Sequence, residues 1–118
     1  MYEEVNWVIE FQQVSKRYQE KIVLNQFDEK IKKDRVLVDF YATWCGPCKM
    51  LGLVLEKFDD ENIVPILKLD VDEAKDVAEK YKVFTIPTLI IFENGKEIKR
   101  KVGYQSLDEL RKWVNDEE

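Results

Sequence analysis

Cys45 and Cys48 are the only cysteines in the chain, and their Cys-x-x-Cys spacing admits three chemistries. A closed zinc site needs four ligands. With no histidine anywhere, only carboxylates or a second chain could complete one. A permanent structural disulfide across so short a loop would constrain the unfolded chain little. Dithiol–disulfide exchange needs an attacking thiolate and a second thiol close enough to displace it, and the spacing supplies both. Exchange is the reading carried forward.

Exchange assigns unequal roles to the two thiols. Cys45 falls at the start of a helix that runs from Pro47, where free N–H groups and the positive dipole end stabilise a thiolate. A thiol so placed drops below the ~8.5 of free cysteine and is more nucleophilic near neutrality. Pro47 fits the first turn, where its missing N–H costs no helical bond. Cys48, three residues on, lies on the same side of the helix within reach of a disulfide. Cys45 then attacks a substrate disulfide to form a mixed disulfide. Cys48 attacks the Cys45 sulfur, releasing reduced substrate and leaving Cys45–Cys48 oxidised. Gly46 leaves an incoming chain close access to the backbone.

Two charged residues interrupt apolar runs nearby. Asp39 breaks Val36-Leu37-Val38-Asp39-Phe40-Tyr41, and burying a carboxylate there is costly unless something compensates. Beneath the cysteines, with its pKa raised by burial, it could take the proton from Cys48 as that thiol attacks. The alternative is an aspartate at the strand edge facing water. Lys68, in Ile66-Leu67-Lys68-Leu69-Asp70, could partner Asp39 or snorkel to the surface.

These residues need elements to hold them, and from residue 21 strand-like and helix-like stretches alternate. Lys21–Leu24 reads as a short strand and Asn25 as the cap of a helix carrying Phe27 and Ile31. Val36–Tyr41 is apolar on both faces, as in a central strand. A helix follows from Pro47 to about Asp59, with Met50, Leu51, Val54, Leu55 and Phe58 on one stripe. Ile63–Val71 reads as a buried strand, and Ala74, Val77, Ala78 and Tyr81 as an amphipathic helix. Thr88–Phe92 and Lys96–Val102 flank Asn94-Gly95, a strong hairpin signal. Ser106 and Glu109 have capping-box spacing before a helix faced by Leu107, Leu110, Trp113 and Val114. Crossover helices predict parallel strands, and the hairpin adds an antiparallel pair: an α/β chain with a mixed sheet.

At 118 residues, 45% hydrophobic and 36% charged, the chain reads as a soluble globular protein with one principal domain. Its net charge of −5 is spread without a basic stripe, against nucleic-acid or membrane partners. The longest apolar runs resemble Thr88–Phe92, too short to cross a bilayer. Met1-Tyr2-Glu3-Glu4 is acidic where a secretory leader is basic and then apolar, so a cytoplasmic location is expected. Residues 1–20 form a separate extension before a domain at 21–118. Val5, Trp7, Ile9 and Phe11 alternate like a strand, but Trp7, Phe11, Val14 and Tyr18 favour a helix.

Val38-Asp39-Phe40-Tyr41-Ala42-Thr43-Trp44-Cys45-Gly46-Pro47-Cys48-Lys49 resembles the active-site segment of the thioredoxin family. Ile86-Pro87-Thr88 resembles that family's cis-proline loop, and Val102-Gly103 its glycine near the active site. The resemblance spans about residues 21 to 115 with order and spacing kept. It implies a thioredoxin fold, a central mixed sheet with helices on both faces, preceded here by the extra N-terminal segment. It also implies a protein-disulfide reductase with no cofactor beyond the Cys45–Cys48 disulfide, and a monomer is expected. Thioredoxin reductase would be its electron donor and protein disulfides its clients. Pro87 would be cis and shield the disulfide, while the Ile86 backbone pairs with the substrate chain. Trp44, Val71, Ile86, Pro87, Val102, Gly103 and Tyr104, with Gly46 and Pro47 at the motif, would form the docking surface. Asp39 would be the buried carboxylate and Lys68 its neighbour. Oxidising relatives commonly carry a histidine between the cysteines, so Gly46-Pro47 favours a reductant. Leu53, after Gly52, stands where the family commonly has a helix-kinking proline, and Tyr41 replaces a frequent tryptophan. A binding or scaffold subunit with incidental redox activity is the alternative, and Cys45, Cys48, Asp39 and Pro87 together argue against it.

Overall fold

Strand β1, Val36–Tyr41, is the spine of the sheet, buried from Val36 to Phe40 and partly at Tyr41. A strand covered on both faces has no water-facing side to fill with polar residues, hence its near-continuous apolar run. The computed structural model describes residues 27–28, 31–32 and 34–117. Within them β1 is followed by α1 (Gly46–Asp59), β2 (Ile66–Asp70), α2 (Lys75–Lys80), β3 (Thr88–Glu93), β4 (Lys96–Val102) and α3 (Leu107–Val114). The strand expected at Lys21–Leu24, the cap at Asn25 and the helix expected within residues 1–20 lie outside the described residues. Phe27 and Ile31 are joined by the expected i, i+4 bond, Ile31 N–H to Phe27 carbonyl at 3.0 Å.

The described sheet has the order β2-β1-β3-β4. β1 and β2 are parallel, whereas β3 is antiparallel to both β1 and β4. The sequence expectation that every crossover helix joins parallel strands therefore fails at α2. That helix spans only Lys75–Lys80, and the irregular segment 81–87 after it turns the chain so that β3 enters from the opposite end. The hairpin forms as expected, with Asn94 and Gly95 at φ 54° and 87° supplying the left-handed turn. β2 starts at Ile66 instead of Ile63: Pro65 has no N–H to donate, although its carbonyl accepts Leu37 N–H at 2.9 Å.

Strand alternation divides the interior into two layers. Val38, Phe40, Leu69, Ile90 and Phe92 face Phe27, Val77 and Ala78. There the Phe27 and Phe92 rings meet edge-on with centroids 5.7 Å apart. Leu37, Ile66, Leu89 and Ile91 face the opposite way, onto Leu51, Leu55 and Phe58 of α1 and Leu110 and Trp113 of α3. Helical residues thus cover both faces. The second layer matters most, because Asp39 follows Leu37 by one strand period and Lys68 follows Ile66.

On α1 the buried stripe is Cys48, Leu51, Gly52, Leu55 and Phe58. Met50 is 59% exposed, which corrects the stripe expected from sequence. At about 100° per residue it lies well round the helix from Cys48 and Leu55. Leu53 is exposed, and α1 runs through it unbroken. At α3, Ser106 and Glu109 form the expected reciprocal capping box.

Candidate active site

β1 ends at Tyr41 and the chain turns at once into α1, Cys45 N–H donating to the Ala42 carbonyl at 3.2 Å. Cys45 is the N-cap of α1, in extended conformation, with Pro47 in the first turn. Its sulfur accepts the Cys48 backbone N–H at 3.2 Å, so it occupies the anion position of a helix start. Cys45 and Cys48 are joined as a disulfide with Cα atoms 5.2 Å apart. Both are buried, against Ala42 and the partly buried Tyr41, Val71 and Ile86. Gly46 and Pro47 are exposed, and a Cβ built on Gly46 would meet nothing within 4 Å. The motif therefore offers its backbone to solvent while sheltering its sulfurs.

Asp39 lies wholly inside the protein, and neither carboxylate oxygen has a hydrogen-bond partner. The water-facing alternative is excluded. Parallel register places it beside Lys68, whose Nζ lies 3.9 Å from Asp39 Oδ2. Burial pushes the Asp39 carboxyl up to about 7, against the pull of the Lys68 charge. The lysine both pairs and reaches out: its side chain is 19% exposed, and Nζ lies 4.7 Å from the Tyr41 ring centroid. Burial, with the nearby carboxylates of Asp70, Asp39 and Glu73, pushes the Tyr41 hydroxyl up to about 12. A Cβ on Gly52 would come within 3.2 Å of Lys68 Nζ, so the glycine leaves room for the ammonium. Cys48, Gly52 and Lys68 line one open cleft with Tyr41, Ala42 and Thr43. That cleft places the inner thiol beside Lys68, the outer member of the polar pair.

On the other side of the cysteines, Ile86–Pro87 is the one cis peptide bond among the described residues. Pro87 is buried, and its carbonyl accepts Gly103 N–H at 2.8 Å. Gly103 has φ 95°, a conformation open to glycine and strained for other residues. Among the other expected docking residues, Trp44, Val102 and Tyr104 are exposed, and Val71, Ile86 and Gly103 are partly so.

Sequence reasoning missed two neighbours of this surface. Trp44 Nε1 donates to Asp72 Oδ2 at 2.7 Å. The only signal for it was an acid next to Val71. Phe84, two residues before Ile86, is 84% exposed, and an aromatic beside the proline loop was the clue.

Comparisons with known proteins converge on one family. A family model described as Thioredoxin matches residues 11–116. The thioredoxin of Staphylococcus epidermidis is 49% identical over 92 residues, covering 76% of this chain and 88% of that protein. The Staphylococcus aureus thioredoxin matches over the same length with the same identity and coverage. Among solved structures, oxidised mitochondrial thioredoxin 3 of Saccharomyces cerevisiae superposes with a TM-score of 0.72 at 38% identity, covering 79% of this chain and 89% of that one. Oxidised Plasmodium falciparum thioredoxin gives 0.71 at 31% identity, covering 78% and 89%.

Proposed function

The chain belongs to the thioredoxin family and is a thiol–disulfide oxidoreductase of the protein-disulfide reductase type, and from that premise we propose how its residues divide the work. Cys45 thiolate attacks one sulfur of a client disulfide, forming the mixed disulfide and expelling the other client sulfur as a thiolate. Cys48 gives its proton to ionised Asp39 by way of the cleft and attacks the Cys45 sulfur. The second client thiolate leaves, two electrons have passed to the client, and Cys45–Cys48 is oxidised. Lys68 holds the Asp39 charge within reach of neutrality. The observation that carries this division is the fully buried Asp39 carboxylate, without a hydrogen-bond partner and paired with Lys68, which lines the same cleft as Cys48.

Trp44, Gly46, Pro47, Val71, Ile86, Pro87, Val102, Gly103 and Tyr104 form the docking surface, and the Ile86 backbone pairs with the client strand. The cycle needs no cofactor beyond the cysteine pair. Thioredoxin reductase returns the electrons. A reducing compartment, the cytoplasm, suits a cysteine pair that must be kept reduced to act. No helix among the described residues is long and apolar enough to cross a membrane. The protein works as a monomer, with neither nucleic acid nor membrane as a partner.

Insulin-disulfide reduction with dithiothreitol as electron source tests the division of roles. Cys45→Ser abolishes turnover, whereas Cys48→Ser accumulates a covalent enzyme–client adduct. Full turnover by Cys45→Ser, or adduct formation through Cys48 in its place, overturns the assignment.

A further inference from the structure

Residues 81–87 join α2 to β3 without regular structure and bring Ile86–Pro87 to the cysteines. A connection of this kind adapts to its surroundings unless something holds it. Arg100, on β4, holds this one. Its Nη2 donates to the Tyr81 carbonyl at 2.8 Å and its Nη1 to the Lys82 carbonyl at 3.3 Å. Its Nε and Nη2 also fork onto the Glu97 carboxylate, at 2.6 Å each, which fixes the plane of the guanidinium. Lys82 has φ 55°, so the grip falls on a left-handed turn of the chain. Val83 is buried and donates its N–H to Ala78 at 2.9 Å. At the far end Thr88 Oγ1 donates to the Thr85 carbonyl and Gly103 N–H to that of Pro87.

Between these anchors stands Phe84, at 84% the most exposed large apolar side chain among the described residues. A loop free to rearrange would fold such a ring inward, and a loop anchored on both sides keeps it in water. Ile86, two residues on, packs against the cluster of Ala42, Cys45 and Cys48, so the loop that carries Phe84 also carries a residue packed on the cysteines.

We propose that Phe84 is a specificity contact for polypeptide clients, receiving an apolar side chain that flanks the client's half-cystine, and that Arg100 is the residue positioning it. The inference rests on the docking reading above and adds a residue and a preference to it. The client fitted to this surface is an extended segment with an aliphatic or aromatic residue beside its disulfide, because only such a segment gains by covering the ring.

The full chain, recycled by dithiothreitol, is assayed on two disulfide peptides that differ in one flanking residue, leucine or serine. Hydroxyethyl disulfide serves as a disulfide without a flank, with the rate due to dithiothreitol alone subtracted. Wild type prefers the leucine peptide. Phe84→Ser lowers kcat/KM for that peptide by about tenfold, the order of one buried apolar contact. The loss lies mainly in KM, the leucine-to-serine ratio approaches one, and the small disulfide reacts as before. Arg100→Ala acts in the same direction, and Arg100→Lys restores little because an ammonium cannot make the fork. A leucine preference that survives Phe84→Ser overturns the proposal, as does an equal loss on all three substrates. Phe84→Ser decides the matter even if Arg100→Ala folds poorly. A wild type inactive on the small disulfide would defeat the reductase reading instead.

Discussion

Replacing Asp39 by asparagine separates burial from charge, and the expected effect follows from one pKa. The carboxyl is pushed from its ordinary 3.8 to about 7 in the folded protein. Below 3.8 the folded and unfolded chains both carry the proton, and nothing is lost. Between 3.8 and about 7 only the folded chain keeps it, so stability falls by about 1.4 kcal/mol per pH unit. Above about 7 the full penalty stands, about 4 kcal/mol over the window. Asparagine does not titrate there. Its amide has no ready acceptor beside oxygens that already lack partners, a cost of about 1–3 kcal/mol at every pH. The variant should therefore be the less stable protein near pH 4 and the more stable one near pH 8. Urea unfolding of the oxidised forms from pH 4.5 to 8.5 measures the difference between them, in which the other carboxylates largely cancel. A difference that stays flat across this range refutes the reasoning. It would mean that the Lys68 charge outweighs burial and that Asp39 is ionised throughout, in the folded and unfolded chains alike.

Lys68→Met removes the charge that pulls the Asp39 carboxyl down and so moves it further above about 7. Resolution of the mixed disulfide, followed by stopped flow from pH 6 to 9, should then rise at higher pH than in wild type; an unmoved profile counts against Asp39 as proton acceptor. Ser106→Ala removes one arm of the capping box on α3 and should cost about 1 kcal/mol in urea unfolding. No loss there would mean the cap is replaced by water. Gly103→Ala forces a side chain into φ 95° and should cost about 1–3 kcal/mol, against no change if the backbone relaxes freely.

What could be read in the sequence was local chemistry. Asn94-Gly95 specifies its turn through residues that accept a left-handed backbone, and Ser106 and Glu109 satisfy each other's neighbours across one helical turn. Asp39 was conspicuous because a lone carboxylate in an apolar strand violates the burial rule. Its partner needed the register of β1 on β2, a long-range fact. Met50 was misplaced by helical phase alone, since the stripe is set by what Cys48 and Leu55 face. The direction of β3 was illegible because a short helix and an irregular segment can return the chain at either end of the sheet. Trp44–Asp72 and Arg100 with Tyr81 and Lys82 join residues far apart in the chain, and no pattern in either segment announces them.

The two thiols sit three residues apart in one helix start, yet the structure makes them unequal. A charge on Cys45 meets the N–H of Cys48 and the open end of α1. A charge on Cys48 forms inside the first turn, on the side of the cleft shared with Lys68, where Asp39 already resists ionisation. This inequality supports the proposed order, in which Cys45 attacks first and Cys48 becomes a nucleophile only as it surrenders its proton. An aspartate left at its ordinary 3.8 would be ionised at neutrality but too weak a base to draw that proton efficiently. Raised to about 7, it is strong enough to accept the proton and still ionised in a good fraction of molecules. In the proposed mechanism, the stability of about 4 kcal/mol that the fold gives up by burying Asp39 is the same free energy that makes it a stronger base.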